Sequence, residues 1–302
     1  MRKFLLGLAV LAIVAAACAP EDDTTEPADS GGTTEPAPID ASTCAADAGT
    51  VSDGVLTVGT GNPAFPPWWE GGTTEENPDW EFNDPYLLEG FEGATVGAVA
   101  EQLGFTADQI EFVPVPFNKS FAPGPKEFDF VLQQISYSDK RAGAVDFSES
   151  YYDVNQALVS VKGSDIEGAT TLAELQSAKL GAPLGTTSFD YIEQNIQPTE
   201  EPAVYNDLNG AVQALKNGQV DGIVVDLPTA FFVTAVQIPK GVIVGQFPTV
   251  GAQEYFALAL EKDSAFTECL DLALQALKED GTLASIQQEW LADNASAPVI
   301  EG

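Results

Sequence analysis

The chain has 302 residues, with 46 Asp and Glu against 12 Lys and Arg, and no His. A formal charge of −34 excludes sequence-independent nucleic-acid binding, which rests on cations that neutralise phosphates, and it disfavours adsorption to anionic lipid. The lack of imidazole excludes Ser-His-Asp triads and His metal sites, and at roughly 150 residues per domain the length allows two substantial lobes.

Arg2-Lys3 is a short basic start, and Phe4 to Val14 is an apolar run too short to span a bilayer. Ala15-Ala16-Ala17-Cys18 follows. Residues 1–17 resemble a bacterial lipoprotein signal peptide, which implies cleavage, a lipid on Cys18 and export. Ala15 stands where Leu is most often found, so an ordinary secretory signal with an incidental Cys is the alternative. Both readings export the chain. No second apolar stretch of about 18 residues follows, so membrane attachment is expected only through the lipid. Residues 18–42 turn to Glu, Asp, Thr, Pro, Gly and Ser, with Ile39 the only large apolar side chain. Such a segment buries too little to offset chain entropy and is expected to be a disordered acidic tether.

With Cys18 assigned to lipid, Cys44 and Cys269 remain. Two cysteines in an oxidising compartment are most economically a disulfide. The alternative is one half-buried and one exposed thiol. Neither has a basic neighbour in sequence to lower its pKa.

Val55 to Gly59 reads as a strand, and Phe91 to Leu103 as a helix stopped at Gly104. Strands are expected at Ile110 to Val115, Phe130 to Ile135 and Ala157 to Val161. Later strands, Lys179 to Leu184, Val220 to Val225 and Val242 to Phe247, alternate with helices at Ser188 to Asn195, Leu208 to Asn217 and Pro228 to Val236. Alternation of this kind indicates parallel α/β sheets. Two helices close the chain, Ser264 to Lys278 and Thr282 to Leu291, separated at Gly281. Gly71 to Glu89 has no clear period and is expected to be a surface loop.

Four places carry recognisable chemistry. Arg141 is the only Arg left once Arg2 is removed. Its planar fork matches a carboxylate as Lys cannot, although a surface ion pair with Asp139 or Asp146 would also account for it. Leu184-Gly185-Thr186-Thr187-Ser188 opens a helix, where free N–H groups attract an anion; Thr187 and Asp190 also have the spacing of a capping box. Asp226 ends an apolar strand, where it can receive an ammonium group or cap the helix beginning at Pro228. Phe65-Pro66-Pro67-Trp68-Trp69 is an aromatic turn suited to walling a pocket.

These groups complement an α-amino-acid zwitterion. Further blocks accompany them: Leu56-Thr57-Val58-Gly59, Gly90-Phe91-Glu92, Ser138-Asp139-Lys140-Arg141, Val145-Asp146-Phe147-Ser148-Glu149-Ser150-Tyr151-Tyr152, and Ala214-Leu215-Lys216-Asn217-Gly218-Gln219-Val220-Asp221. Together they closely resemble the polar-amino-acid family of solute-binding proteins that serve ABC importers. The resemblance implies an α/β fold of the two-lobe periplasmic-binding-protein-like kind, with a hinge of two crossing strands. Lobe 1 would comprise residues 43–154 and 255–302, and lobe 2 residues 155–254. By position, Arg141 would take the ligand α-carboxylate, helped by Ser136, Thr186 and Thr187. Asp226 would take the α-ammonium, and Gln134 would supply a polar contact. Phe65 would stack on the ligand side chain, with Phe117 opposite. Pro123-Gly124-Pro125 stands where that family has a short helix, which weakens the case for Phe117. Lys119 is the one further cation expected near the cleft.

The resemblance further implies a monomer without a cofactor or catalysis, a free amino acid as ligand and a membrane permease of an ABC importer as partner. Two rival classes share the pattern. An exported dehydratase of cyclic amino-acid precursors would keep the Arg141 grip and use an acid such as Glu92 for proton transfer. A sensory domain would bind an amino acid without a permease.

Overall fold

The Asp40 carboxylate accepts from the Thr43 N–H at 2.8 Å and caps helix α1 (Ala41–Ala48). The structure, a computed structural model, describes residues 40–291 and 296–302. Cys18, the signal segment and most of the expected tether lie outside the described residues. The tether does not reach Ser42, because Ala41 and Ala45 are buried and Cys44 is bonded to Cys269 with their Cα atoms 5.3 Å apart. Lobe 1 therefore begins with α1 rather than at residue 43.

In the first lobe α1 is followed by β1 (Leu56–Thr60), α2 (Phe91–Gln102), β2 (Ile110–Pro114), α3 (Phe117–Ser120), β3 (Phe130–Val131), α4 (Asp139–Ala142) and β4 (Asp146–Asp153). The chain then crosses to β5 (Gln156–Val161), α5 (Leu172–Leu175), β6 (Leu180–Pro183), α6 (Thr187–Tyr191), β7 (Ala203–Tyr205), α7 (Leu208–Lys216), β8 (Gly222–Asp226), α8 (Leu227–Phe232) and β9 (Gly241–Gln246). It returns as β10 (Tyr255–Leu260), α9 (Phe266–Glu279) and α10 (Thr282–Leu291).

Two five-stranded sheets result, ordered β2-β1-β3-β10-β4 and β7-β6-β8-β5-β9. In the first, β1 runs parallel to β2 and β3, while β10 is antiparallel to β3 and β4. In the second, β6 is parallel to β7 and β8, and β5 is antiparallel to β8 and β9. Central β1 is buried along its whole length, as expected of a parallel strand covered on both faces, whereas edge strand β2 alternates and exposes Glu111. Each lobe has its own core: Leu56, Val58, Phe91, Leu258 and Leu274 anchor the first, and Leu158, Val159, Ile223 and Phe247 the second.

Two segments join the lobes side by side. β4 passes into β5 through Val154-Asn155, and β9 returns to β10 through residues 247–254. Val154 N–H donates to Glu254 O at 3.0 Å, so the crossings are bonded to each other.

Several elements differ from the sequence reading. The strand expected at Phe130 to Ile135 pairs regularly only at Phe130–Val131. Gln134 has φ 55°, and its N–H donates to the Glu92 carboxylate at 2.8 Å, which removes it from the ladder. β4 went unforeseen because its sequence is acidic and aromatic rather than aliphatic. The helices expected at Ser188 to Asn195 and Pro228 to Val236 both widen into π turns, at Ile192–Ile196 and Val233–Gln237.

The end of the chain requires a larger correction. The resemblance places residues 255–302 in lobe 1, yet Ile300 N–H donates to Gln246 O and Glu301 N–H to Thr170 O, both in lobe 2. Ile300 is buried against the second core. Gly245 permits this approach: a Cβ there would lie 2.6 Å from Pro298 O.

Candidate functional site

The lobes face each other across a cleft of about 440 Å³. Arg141, Asp226, Phe65, Ser136, Gln134, Thr186, Thr187 and Phe117 all line it.

Arg141 sits on α4, a single turn capped by Ser138. Its guanidinium is buried, lies 4.3 Å from the Phe121 ring centre and 5.6 Å from that of Phe117, and donates to Ser136 O. Burial lowers its pKa to about 10, while Asp190 and Glu254 favour the charged form. The surface ion pair considered from sequence does not form, because Asp146 is held by Lys262 at 2.8 Å. With two of five N–H groups given to carbonyl oxygens, Ser136 O and Gly185 O, donors remain for an anion. The short helix α3 forms ahead of Pro123 and places Phe117 edge-on to Phe121, so the proline-rich segment does not remove Phe117 from the wall.

Across the cleft, Asp226 ends β8 and caps α8, accepting from Thr229 N–H at 2.9 Å. The capping role considered from sequence is present, and Asp226 also lines the cleft. Burial raises its pKa to about 6, against the lowering effect of the Thr229 bonds. Thr186, rather than Thr187, caps α6: its hydroxyl accepts from Phe189 N–H at 3.2 Å and donates to Pro183 O at 2.8 Å. Thr187 is left facing Ser136, with their hydroxyls 3.2 Å apart across the lobes.

Glu254 is a cleft-side residue that no motif marks. It accepts from Ser136 Oγ at 2.6 Å and from Gln156 Nε2 at 3.0 Å, and Gln156 Oε1 in turn accepts from Ser188 Oγ at 2.7 Å. This network joins lobe 1, the hinge and lobe 2. Glu254 lies in Gly251-Ala252-Gln253-Glu254, a stretch with no motif, and its role follows only from the second crossing.

Glu92 lies behind the cleft wall. It is fully buried and accepts from Tyr151 Oη and from both the backbone and side chain of Gln134. Burial raises its pKa to about 7, and these bonds oppose the rise. The side chain of Gln134 is thereby turned towards Glu92. Lys119 does not line the cleft, so Arg141 is the only cation among the lining residues, while Asp226 and Asp207 contribute carboxylates.

No residue of the 71–89 loop lines the cleft, but the loop packs against two that do. Asn62 holds it through Asp79 O and Glu81 N–H, each at 2.9 Å, and Phe82 packs on Phe65 with ring centres 5.1 Å apart. A residue outside the quoted motifs thus fixes the ring of a cleft aromatic.

Comparison with known proteins agrees with this geometry. The family described as bacterial extracellular solute-binding proteins, family 3, matches residues 71–293. The arginine-binding extracellular protein ArtP of Bacillus subtilis is 26% identical over 72% of this chain and 84% of its own length. The L-cystine-binding protein TcyJ of Escherichia coli K12 is 28% identical over 68% of this chain and 76% of its own. Among solved structures, an ancestral arginine-binding protein bound to glutamine is 28% identical, with a TM-score of 0.62 over 79% of this chain and 98% of that one.

Proposed function

The chain belongs to the bacterial extracellular solute-binding proteins, family 3, and from that premise we propose that it captures a free amino acid between its lobes and delivers it to an ABC importer. One observation carries this reading: Arg141 on the first lobe and Asp226 on the second line one cleft with opposite charge. A zwitterion held by its carboxylate at Arg141 and its ammonium at Asp226 contacts both lobes only when they are closed. Ligand contacts then differ between open and closed states, which is what shifts the population towards closure. The closed form would dock to the membrane permease. A lone cation in the lining, opposed by Asp226 and Asp207, favours amino acids with neutral or cationic side chains over acidic ones.

The relatives named above are binding proteins, which supports binding rather than turnover. The dehydratase reading places proton transfer on Glu92, whose carboxylate is occupied by Tyr151 and Gln134 behind the wall. Lipidation at Cys18 would keep the exported protein at the outer face of the cell membrane; Cys18→Ser should then release it from the membrane fraction.

The deciding experiment is thermal unfolding of the protein without residues 1–38 in the presence of each of the twenty amino acids. A ligand at about 100 times its Kd adds about 2.7 kcal/mol of stability. A shift with one or a few amino acids, lost in Arg141→Ala, supports the reading. Absence of any shift overturns it.

A further inference from the structure

Trp68 is 1% exposed, yet its indole N–H points out of its own lobe and donates to Thr229 Oγ1 at 3.2 Å. On its own side the ring is wedged edge-on against Tyr152 and Phe256, with ring centres 6.0 and 5.7 Å away. Those two residues pair with each other on β4 and β10, at the mouth of the hinge. Thr229 lies in the first turn of α8, where its backbone N–H donates to Asp226 Oδ1 at 2.9 Å. Trp68 itself is not among the cleft-lining residues, although its neighbours Phe65 and Trp69 are. Its one polar atom is therefore committed to the other lobe rather than to a ligand.

We infer that Trp68 is a positioning residue for the ammonium acceptor: through Thr229 it fixes the start of α8 against the first lobe, and so sets the span between Asp226 and Arg141. The inference rests on the zwitterion reading of the cleft. A phenylalanine would fill the aromatic wedge without any polar atom. A tryptophan there leaves a buried donor that needs a partner, and the partner lies on the element that carries Asp226. Lobe 1 thereby gauges the position of a group that belongs to lobe 2.

Calorimetry on Trp68→Phe, Thr229→Val and the pair, each also combined with Asp226→Asn, tests this with whichever amino acid binds. Each single change should weaken binding about three- to tenfold, the worth of one neutral hydrogen bond. The double variant should be no worse than either single. Relative affinities among amino acids should be preserved. In the Asp226→Asn background, Trp68→Phe should cost nothing further, because there is no charged acceptor left to position.

If Trp68→Phe leaves affinity unchanged, multiplies with Thr229→Val, or costs as much in the Asp226→Asn background, Trp68 only packs and the inference fails. Those outcomes leave amino-acid binding by the unaltered protein intact. Failure of the unaltered protein to bind any amino acid would instead overturn the reading of the cleft, and the inference with it.

Discussion

Arg141 on the first lobe donates from Nη2 to the carbonyl oxygen of Gly185 on the second at 2.8 Å. The approach is close enough that a Cβ on Gly185, at φ 78°, would lie 2.8 Å from Asn118 Oδ1 of the first lobe. The residue assigned to the ligand carboxylate therefore also joins the lobes, and its planar fork allows both at once.

Arg141→Lys should accordingly fail to preserve function. A lysine keeps the charge but loses the fork and the stacking on Phe121. Affinity is expected to fall about 10- to 100-fold, in line with losing a charge-assisted bond of about 1.5–3 kcal/mol. Calorimetry against the best ligand checks this, with the unfolding midpoint of the free protein as a control for folding.

Binding should weaken in acid. Burial holds the Asp226 pKa up at about 6, and an ammonium group needs the ionised carboxylate. Above about pH 7 affinity should be flat. Below about 6 the ligand must displace a proton, and affinity should fall towards tenfold per pH unit. A titration from pH 8 to pH 5 reads this directly, and the fall attributed to this group should vanish in Asp226→Asn.

Side-chain charge should matter in one direction. Among the described residues no Lys or Arg forms an ion pair with Asp207. Glutamine should bind more tightly than glutamate by at least tenfold, and Asp207→Asn should narrow the gap at low salt. Because Asp207 is exposed, its share should be no more than about 1 kcal/mol and should shrink as salt rises. Glutamate binding as tightly as glutamine would sink this account of the cleft charge.

The Cys44–Cys269 bridge spans a sequence separation of 225. Replacing both by Ser should lower stability by about 3–5 kcal/mol, through the freedom returned to the unfolded chain. Neither residue lines the cleft, so Kd should remain within about twofold. Denaturant unfolding with parallel calorimetry separates the two effects.

Much of the site was legible because its chemistry is local. Arg141 stands out as an isolated fork, Asp226 as a charge at the end of an apolar strand, and Gly185-Thr186-Thr187 as a helix start. Each is recognisable within a few residues. Glu254 and Phe82 are illegible for the opposite reason, since each matters through a partner outside any local pattern, at Ser136 and Phe65; Trp68 reads as a pocket wall, but its bond to Thr229 on the other lobe does not show in its neighbours. The fold divides in the same way. Aliphatic strands such as β1 and β8 announce themselves by composition. β4 is held by pairing with β10, with register shifts between Phe256 and Ala259, and no local pattern predicts that. The final residues give no local sign of joining lobe 2, because their partners, Gln246 and Thr170, lie more than fifty positions earlier.

That last segment also changes how opening can be watched. Ser42 rides on the first lobe with α1, while Glu301 is bonded to Thr170 on the second. Fluorophores at Ser42 and Glu301 would be carried by opposite rigid bodies, so domain motion would appear as a change in energy transfer between sites remote from the cleft. The same attachment carries a mechanical implication. A peptide trimmed from Ala297 onward would lose the Ile300 side chain from the second core, leaving a void beside Val244 and Phe247. Proteolytic clipping at that end would therefore soften the half of the molecule that holds Asp226, even though the cut lies outside the hinge.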